Sequence, residues 1–233
     1  MPDDVTGPLD LSDLIAAGDI DVVDGDPPVP ITAWRVAGVD HPFHHDPAGG
    51  FTPHTAALLV GSYTRRGDTI VSVGDDPALA GAAGAGGVRY VGVEDPAELA
   101  GLDDVAGRVR LVVLRWPPTD RPGQLWTTPE QLRALFAACR RLLTRRGCIV
   151  VALAVAPGES EAAYYGRGEH VVPAAYRGGL GWLQHIILIT APIVGERVTW
   201  RTAPADPATL RAAHHIRIHL DLLLFVTRKT RHG

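Results

Sequence analysis

Residues 109–118 constrain the fold of this 233-residue chain more than any other segment. The segment begins as an apolar run typical of a buried strand, and it ends in Trp116, Pro117 and Pro118. Paired prolines lack backbone N–H donors and restrict φ, so a strand cannot continue through them. The sequence therefore predicts a sharp break at the carboxyl end of a strand, which is where open α/β sheets bind ligands.

Strand-like and helix-like segments alternate on both sides of this break. Apolar and β-branched runs predict strands over residues 31–36, 69–73, 89–94, 109–114, 148–155, 182–190 and 220–227. Helical spacing and capping residues predict helices over residues 53–63, 78–87, 128–145 and 171–176. The alternation predicts a mostly parallel sheet, and the continuous apolar strands predict helices on both of its faces.

The composition and charge of the chain limit its class. Hydrophobic residues make up 46% of the sequence and charged residues 21%, as in globular domains, and the net charge of -4 carries no overall signal for nucleic acid. Residues 1–30 are acidic and Pro-rich, so we expect a flexible arm ahead of one domain over residues 31–233. No run is long enough to span a membrane, and the start lacks the layout of a signal peptide, so we expect a cytoplasmic protein.

Several polar groups leave alternatives open. The basic end of the main helix, residues 140–146, suits either the helix dipole or a phosphate group. Residues 157–169 are expected to form a polar loop, in which Tyr164, Tyr165 and Arg167 suit a mobile lid. Two groups of histidines match no recognised metal-ligand spacing, so we expect exposed loop histidines and no metal. These histidines are His41, His44, His45, His214, His215 and His219.

The order of features around the break resembles the class I S-adenosylmethionine-dependent methyltransferases, and among them the amino-methyltransferases of DNA and RNA bases. In that family Asp, Asn or Ser, followed by Pro-Pro and an aromatic residue, forms the catalytic motif at the end of a strand. This chain has Arg115, Trp116, Pro117 and Pro118 at that place. The resemblance covers roughly residues 31–230. It implies a Rossmann-like α/β fold, in which a seven-stranded, mostly parallel sheet has an antiparallel last strand.

The resemblance also implies a site for S-adenosylmethionine. The segment that opens with Phe51 and Thr52 resembles the lead-in helix, which packs beside the methionine end of the cofactor. Ser72, Gly74 and Asp75 stand where the family has its glycine-rich loop. The second strand is followed by Glu94, which matches the acid that usually holds the ribose hydroxyls.

The chain departs from the family where chemistry would occur. The indole N–H of Trp116 can only donate a hydrogen bond, and Arg115 is a permanent cation that cannot act as a base. Near the expected glycines stand Asp75 and Asp76, which would repel a carboxylate but attract an amino group.

Two functions follow from this mixture of kept and altered motifs. The first is a methyltransferase-like protein related to the nucleic-acid enzymes, with eroded cofactor and catalytic motifs. The alternative is a catalytically inactive relative that serves as a binding, regulatory or oligomeric scaffold. Nucleic acid, another protein or a second copy of the chain are therefore the expected partners.

Overall fold

The computed structural model describes residues 22–23, 29–35, 51–116, 128–153, 161–189, 193–194, 197–198 and 219–228. The strands are β1 (Val22–Val23), β2 (Val29–Arg35), β3 (Thr69–Val73), β4 (Arg89–Val93), β5 (Val109–Trp116), β6 (Leu143–Leu153), β7 (Leu180–Ile189), β8 (Ile193–Val194), β9 (Arg197–Val198) and β10 (His219–Thr227). The helices are α1 (Pro53–Tyr63), α2 (Pro77–Gly86), α3 (Pro129–Leu142) and α4 (Glu161–Arg177), and two short 3₁₀ helices cover Pro96–Gly101 and Asp103–Val105. None of the helices within these ranges is long and apolar enough to cross a bilayer.

One sheet carries the fold, with its strands in the order β1-β2-β7-β10-β6-β5-β3-β4. The pairs β2–β7, β6–β5, β5–β3 and β3–β4 are parallel, whereas β10 lies antiparallel between β6 and β7. The two-residue β1 pairs antiparallel with β2, and β8 and β9 form a separate ribbon. Apart from β1, the sheet has seven strands, mostly parallel with an antiparallel last strand, so the predicted Rossmann-like architecture is confirmed.

The edge of the sheet beside β7 comes from the N-terminal part of the chain. The predicted strand over residues 31–36 is confirmed as β2, which pairs with β7 from Ile31 to Arg35. Two segments of the predicted arm also lie in this edge, because Val29 is buried and Val22 pairs with Pro30. The boundary at residue 30 itself stays a prediction.

Helices cover both faces of the sheet, as the continuous apolar strands predict. On one face, Leu59 of α1 and Leu79 of α2 are fully buried in a shared core. On the other face, Phe136 of α3 and Val171 of α4 pack into a second core. This core includes Phe225 of the last strand, whose ring centroid lies 5.8 Å from that of Phe136.

The predicted boundary between α3 and β6 is wrong. The sequence predicts a helix that runs to residue 145, but the helix ends at Leu142, and β6 begins at Leu143, which pairs with Val109. A Cβ on Gly147 would lie 2.7 Å from the carbonyl oxygen of Val109. The glycine therefore permits a close approach of two strands, and strand pairing overrides the local pattern of basic residues followed by glycine.

The predicted loop over residues 157–169 is also wrong from residue 161 onward, because α4 covers Glu161–Arg177. The positions suggested for a mobile lid, residues 164–167, therefore lie in a helical backbone. Two glycines lower the helix propensity of this segment. Buried side chains from the second half of the helix, Val171, Ala174 and Ala175, supply the tertiary packing that stabilises it.

We expect Phe225→Ala to lower the free energy of unfolding by about 3–5 kcal/mol, because it leaves a cavity beneath α3. The neighbouring β7 offers a control in Leu183, whose side chain is 47% exposed. Leu183→Ala should change the free energy of unfolding by no more than about 0.5 kcal/mol. Urea denaturation of both variants measures the difference, and equal losses would contradict the placement of Phe225 in the core.

Both cysteines are buried and unpaired. Cys139 lies in α3 and Cys148 in β6. Burial raises the pKa of each thiol to about 12, because the low-dielectric interior disfavours the thiolate.

The raised thiol pKa predicts a loss of stability in alkali. The folded chain retains both thiol protons up to about pH 12, whereas the unfolded chain releases them near pH 9. Their contribution to the free energy of unfolding is therefore fully present below pH 9. Above this pH it should fall by up to about 1.4 kcal/mol per thiol per pH unit. Denaturation at pH 8 and pH 10.5 should show a smaller fall in the Cys139→Ala/Cys148→Ala variant than in the unaltered protein.

Candidate functional site

The carboxyl ends of β3, β4 and β5 meet at one edge of the sheet. Val73, the last residue of β3, pairs with Val93 on one side and Leu114 on the other. The segments that leave these strands therefore start side by side. They include the turn at residues 74–76, Glu94, and the Arg115–Trp116 pair at the end of β5.

Gly74 makes the turn after β3. Its φ of +86° lies in the left-handed region that favours glycine, so a glycine suits this tight turn. The N–H of Gly74 donates to the carbonyl oxygen of Val93 at 2.8 Å, and its own carbonyl accepts from the buried Ser72 hydroxyl at 2.8 Å. These bonds hold the turn against the end of β4.

Asp76 ties three elements together beneath this turn. Its side chain is buried, with one carboxylate oxygen accepting from the N–H of Leu79 at 3.0 Å and the other from the N–H of Phe51 at 3.0 Å. The backbone N–H of Asp76 donates to the Tyr90 hydroxyl at 3.0 Å. Asp76 thus caps α2, anchors the start of α1 and contacts β4, so its carboxylate is occupied by the protein itself.

Asp75 has a different environment from its neighbour. Asp75 is exposed, and its Oδ1 accepts a hydrogen bond from the Tyr90 hydroxyl at 3.1 Å. Burial, together with the nearby Asp75 carboxylate, raises the pKa of Tyr90, so its hydroxyl stays protonated and able to donate. A Cβ on Gly92 would lie 2.8 Å from Asp75 Oδ1, so the glycine makes room for this carboxylate.

Sequence reasoning missed the part that Tyr90 and Gly92 play at this edge. A signal was present, since a glycine inside a five-residue strand marks a close approach of other atoms. The alternation of side chains along a strand also places Tyr90 and Gly92 on one face of β4.

Phe51 and Thr52, predicted to contact a cofactor, have structural contacts here. The Phe51 side chain is buried in the core beneath α1. Thr52 caps that helix, and its hydroxyl accepts from the N–H of Thr55 at 3.2 Å. The two residues therefore position the start of α1 beside the Gly74 turn, through the bond between the Phe51 N–H and Asp76.

Arg115 reaches from the end of β5 over the Gly74 turn. Its Nη2 donates to the carbonyl oxygen of Asp75 at 3.5 Å and would lie 3.6 Å from a Cβ on Gly74. Its Nη1 is buried and finds no hydrogen-bond acceptor among the residues that the structure describes. A buried guanidinium nitrogen without an acceptor is costly, so this atom has an unfilled capacity to bind an oxygen.

The residues next to Arg115 in the sequence point elsewhere or lie outside the described ranges. Trp116 packs against the core on the α3 side of the sheet. Arg115 lies on the opposite face, because successive side chains of a strand alternate. Pro117 and Pro118, which complete the predicted catalytic group, lie outside the described residues, as do His41, His44, His45, His214 and His215.

Three acidic residues follow β4, and two of them cap the next helix. Asp95 accepts from the N–H of Ala97 at 2.8 Å, and Glu98 accepts from the N–H of Asp95 at 3.0 Å. Glu94 precedes this capping box and is exposed at the end of the strand. It therefore lies at the carboxyl end of β4, directly before the capping pair of Asp95 and Glu98.

The structure thus separates the predicted site residues into two groups. It brings the Ser72–Asp75 turn, Glu94 and Arg115 to one edge of the sheet. The Phe51 side chain is buried in one core, and the Trp116 side chain packs against the other. Whether any of these residues binds a ligand stays a prediction.

No protein-family model and no curated protein matches the chain. Solved structures that resemble it include methyltransferases. They include a TehB-like S-adenosylmethionine-dependent methyltransferase from Corynebacterium glutamicum, 14% identical over 74% of this chain and 87% of that one, with a TM-score of 0.37. A geranyl diphosphate C-methyltransferase from Streptomyces coelicolor is 14% identical over 75% and 80%, with a TM-score of 0.43. A 30S ribosomal methyltransferase from an uncultured bacterium is 13% identical over 74% and 94%, with a TM-score of 0.38. These likenesses are too distant to assign a substrate, a cofactor or a site residue to this chain.

The two neighbouring aspartates should differ sharply on substitution. Asp76→Ala leaves the N–H groups of Phe51 and Leu79 without their acceptor, and we expect a loss of about 1–3 kcal/mol in the free energy of unfolding. Asp75→Ala removes an exposed carboxylate and should cost at most about 1 kcal/mol. Thermal and urea denaturation measure both, and a larger loss for Asp75→Ala would refute the assignment of Asp76 as the cap.

Proposed function

We propose that the chain binds S-adenosylmethionine at the carboxyl edge of β3, β4 and β5, as a protein of the methyltransferase type. The observation that carries the proposal is the buried Nη1 of Arg115, which has no acceptor in the described part of the chain. It belongs to a guanidinium whose Nη2 lies beside the Gly74 turn. A ligand carboxylate would supply the missing acceptor in a charge-assisted bond.

The remaining charges at this edge match the rest of that cofactor. S-adenosylmethionine carries a sulfonium, an ammonium and one carboxylate, so it needs more acidic than basic partners. Asp75 and Glu94 are exposed carboxylates on either side of the β4 terminus, and Arg115 is the cation beside them. In this proposal Arg115 holds the carboxylate, Asp75 attracts the ammonium and Glu94 accepts bonds from the ribose hydroxyls.

When bound, the cofactor would supply an electrophilic methyl group. The resemblance proposes an exocyclic amine of a nucleic-acid base as the acceptor. Trp116 cannot orient such an amine, because its indole only donates and its ring packs into the core.

A scaffold without methyl transfer is the second candidate, and one observation favours it. The Arg115 guanidinium already lies over the Gly74 turn and donates to the carbonyl oxygen of Asp75. In this alternative the side chain closes the turn permanently, and the fold serves as a binding or oligomeric module.

Calorimetric titration with S-adenosylmethionine and with its decarboxylated analogue separates the two candidates. We expect the unaltered protein to bind S-adenosylmethionine, and Arg115→Gln to weaken that binding roughly 10- to 100-fold by removing one charge-assisted bond. The same variant should leave the affinity for the decarboxylated analogue nearly unchanged, because the analogue lacks the group that Arg115 would hold. Arg133→Gln, on the exposed part of α3, is the matched control and should bind both ligands normally.

Two results would overturn the proposal. Absence of binding at millimolar ligand would favour the scaffold. If Arg115→Gln lost affinity equally for both ligands, with an unchanged melting temperature, Arg115 would not recognise the carboxylate. Glu94→Gln tests the ribose contact separately and should weaken the binding of both ligands to a similar degree.

A further inference from the structure

Arginines gather at the amino edge of the sheet, on the side opposite the candidate site. This edge is where β3, β4, β5 and β6 begin, where α1, α3 and α4 end, and where the antiparallel β10 ends. The arginines at these positions are Arg65, Arg66, Arg89, Arg108, Arg110, Arg140, Arg141, Arg145, Arg146, Arg177 and Arg228. We call this set the amino-edge arginines. The aspartates at the same positions are Asp68, Asp103 and Asp104.

The amino-edge arginines follow the strand order across the sheet. Arg228 directly follows β10, and Arg145 and Arg146 lie near the start of β6. Arg108 directly precedes β5, and Arg89 is the first residue of β4. In the sheet these strands lie in the order β10-β6-β5-β3-β4. With neighbouring strands about 4.8 Å apart, the row extends over about 19 Å. The charges thus form a line along the edge and not a compact pocket.

Few of these charges are neutralised within the protein. Arg89 pairs with Asp104 at 3.0 Å and Arg141 with Asp103 at 2.5 Å. In the described ranges these are the two ion pairs that the amino-edge arginines form. Arg110 has a structural role, since its guanidinium donates to the backbone carbonyls of Tyr63 and Arg146. The exposed side chains of Arg65, Arg108, Arg145 and Arg146 remain available to a partner.

Helix dipoles account for only part of the row. Arg140 and Arg141 lie in the last turn of α3 and Arg177 in that of α4, where a cation is favourable. Arg108, Arg145 and Arg146 lie at strand starts, which carry no comparable dipole. A chain with a net charge of -4 nevertheless concentrates half of its basic residues here. The edge therefore suits an external anion.

We propose that the amino-edge arginines bind the phosphate backbone of nucleic acid. A guanidinium is planar, permanently charged and able to form two parallel bonds with a phosphate. A duplex presents one phosphate per 3.4 Å of axis on each strand, so a row of about 19 Å faces five or six of them. A linear polyanion matches this row better than a membrane surface, because no large apolar side chain of the described edge, apart from Leu183 on β7, is exposed to enter a bilayer.

This surface is independent of the cofactor site proposed above. The five residues of β3 separate the two edges by about 16 Å, and the opposite edge carries the exposed acids Asp75 and Glu94. The phosphate backbone would therefore be attracted more strongly to the amino edge than to the carboxyl edge. The proposal concerns docking of the backbone, without base-specific contacts, and it holds whether or not the chain transfers a methyl group.

Fluorescence anisotropy with a labelled 24-base-pair DNA duplex and a 24-nucleotide RNA tests the proposal with the full chain. We expect binding at about 50 mM salt that weakens steeply with salt, because each phosphate contact releases counterions. The combined variant Arg65→Gln/Arg108→Gln/Arg145→Gln/Arg146→Gln should bind at least about tenfold more weakly and lower the duplex salt slope by about 3.6. Arg145→Gln alone should lower it by about one, whereas Arg133→Gln on the middle of α3 should leave it unchanged.

Two results would overturn the proposal. The first is failure of the unaltered protein to bind either probe at 50 mM salt, and the second is unchanged binding by the combined variant. An equal loss in Arg145→Gln and Arg133→Gln would assign any binding to net charge and not to this edge. Binding to phosphatidylserine vesicles without binding to the nucleic acids would assign the row to a membrane. Circular dichroism and melting temperature confirm that each variant is folded.

Discussion

The carboxyl edge of the sheet depends on the buried carboxylate of Asp76. It accepts backbone N–H groups from the starts of α1 and α2, while its own N–H binds the hydroxyl of Tyr90 on β4. A charge can be buried at this depth because hydrogen bonds replace the water that it loses. This arrangement aligns two helix starts with the end of β3. The preceding residue, Asp75, is exposed, so its carboxylate is accessible to a ligand.

The two edges of the sheet have opposite electrostatic character. In the described part of the chain, exposed acids lie at the carboxyl edge with the guanidinium of Arg115, whereas arginines dominate the amino edge. The net charge of -4 is a sum over the whole chain, so it reveals neither of these two surfaces. Because screening in physiological salt limits electrostatic reach to about 8 Å, edges about 16 Å apart would act on the two proposed ligands independently. A small cationic cofactor and a polyanion are therefore compatible with one domain.

Periodicity predicted most of the fold correctly, and its errors have a common cause. Strands β3 and β5 and helix α1 follow from apolar runs with clear capping or turn residues. The end of α3 was misplaced because Arg145, Arg146 and Gly147 imitate a helix terminus. The pairing of Leu143 with Val109 instead draws these residues into β6. The start of α4 was missed because its stability comes from packing against α3 and β7, which a single sequence does not display.

The alternation of elements and the residues that follow each strand can be read from the amino-acid order, and the resemblance implies the antiparallel last strand. What those residues do depends on packing in three dimensions. Asp76 is buried as a cap, Phe51 is buried in one core, Trp116 packs against the other, and Nη1 of Arg115 is buried. Tertiary structure also assembles arginines from distant segments into one row. The physical reason is that side-chain roles depend on neighbours across strands, which chain order alone does not specify.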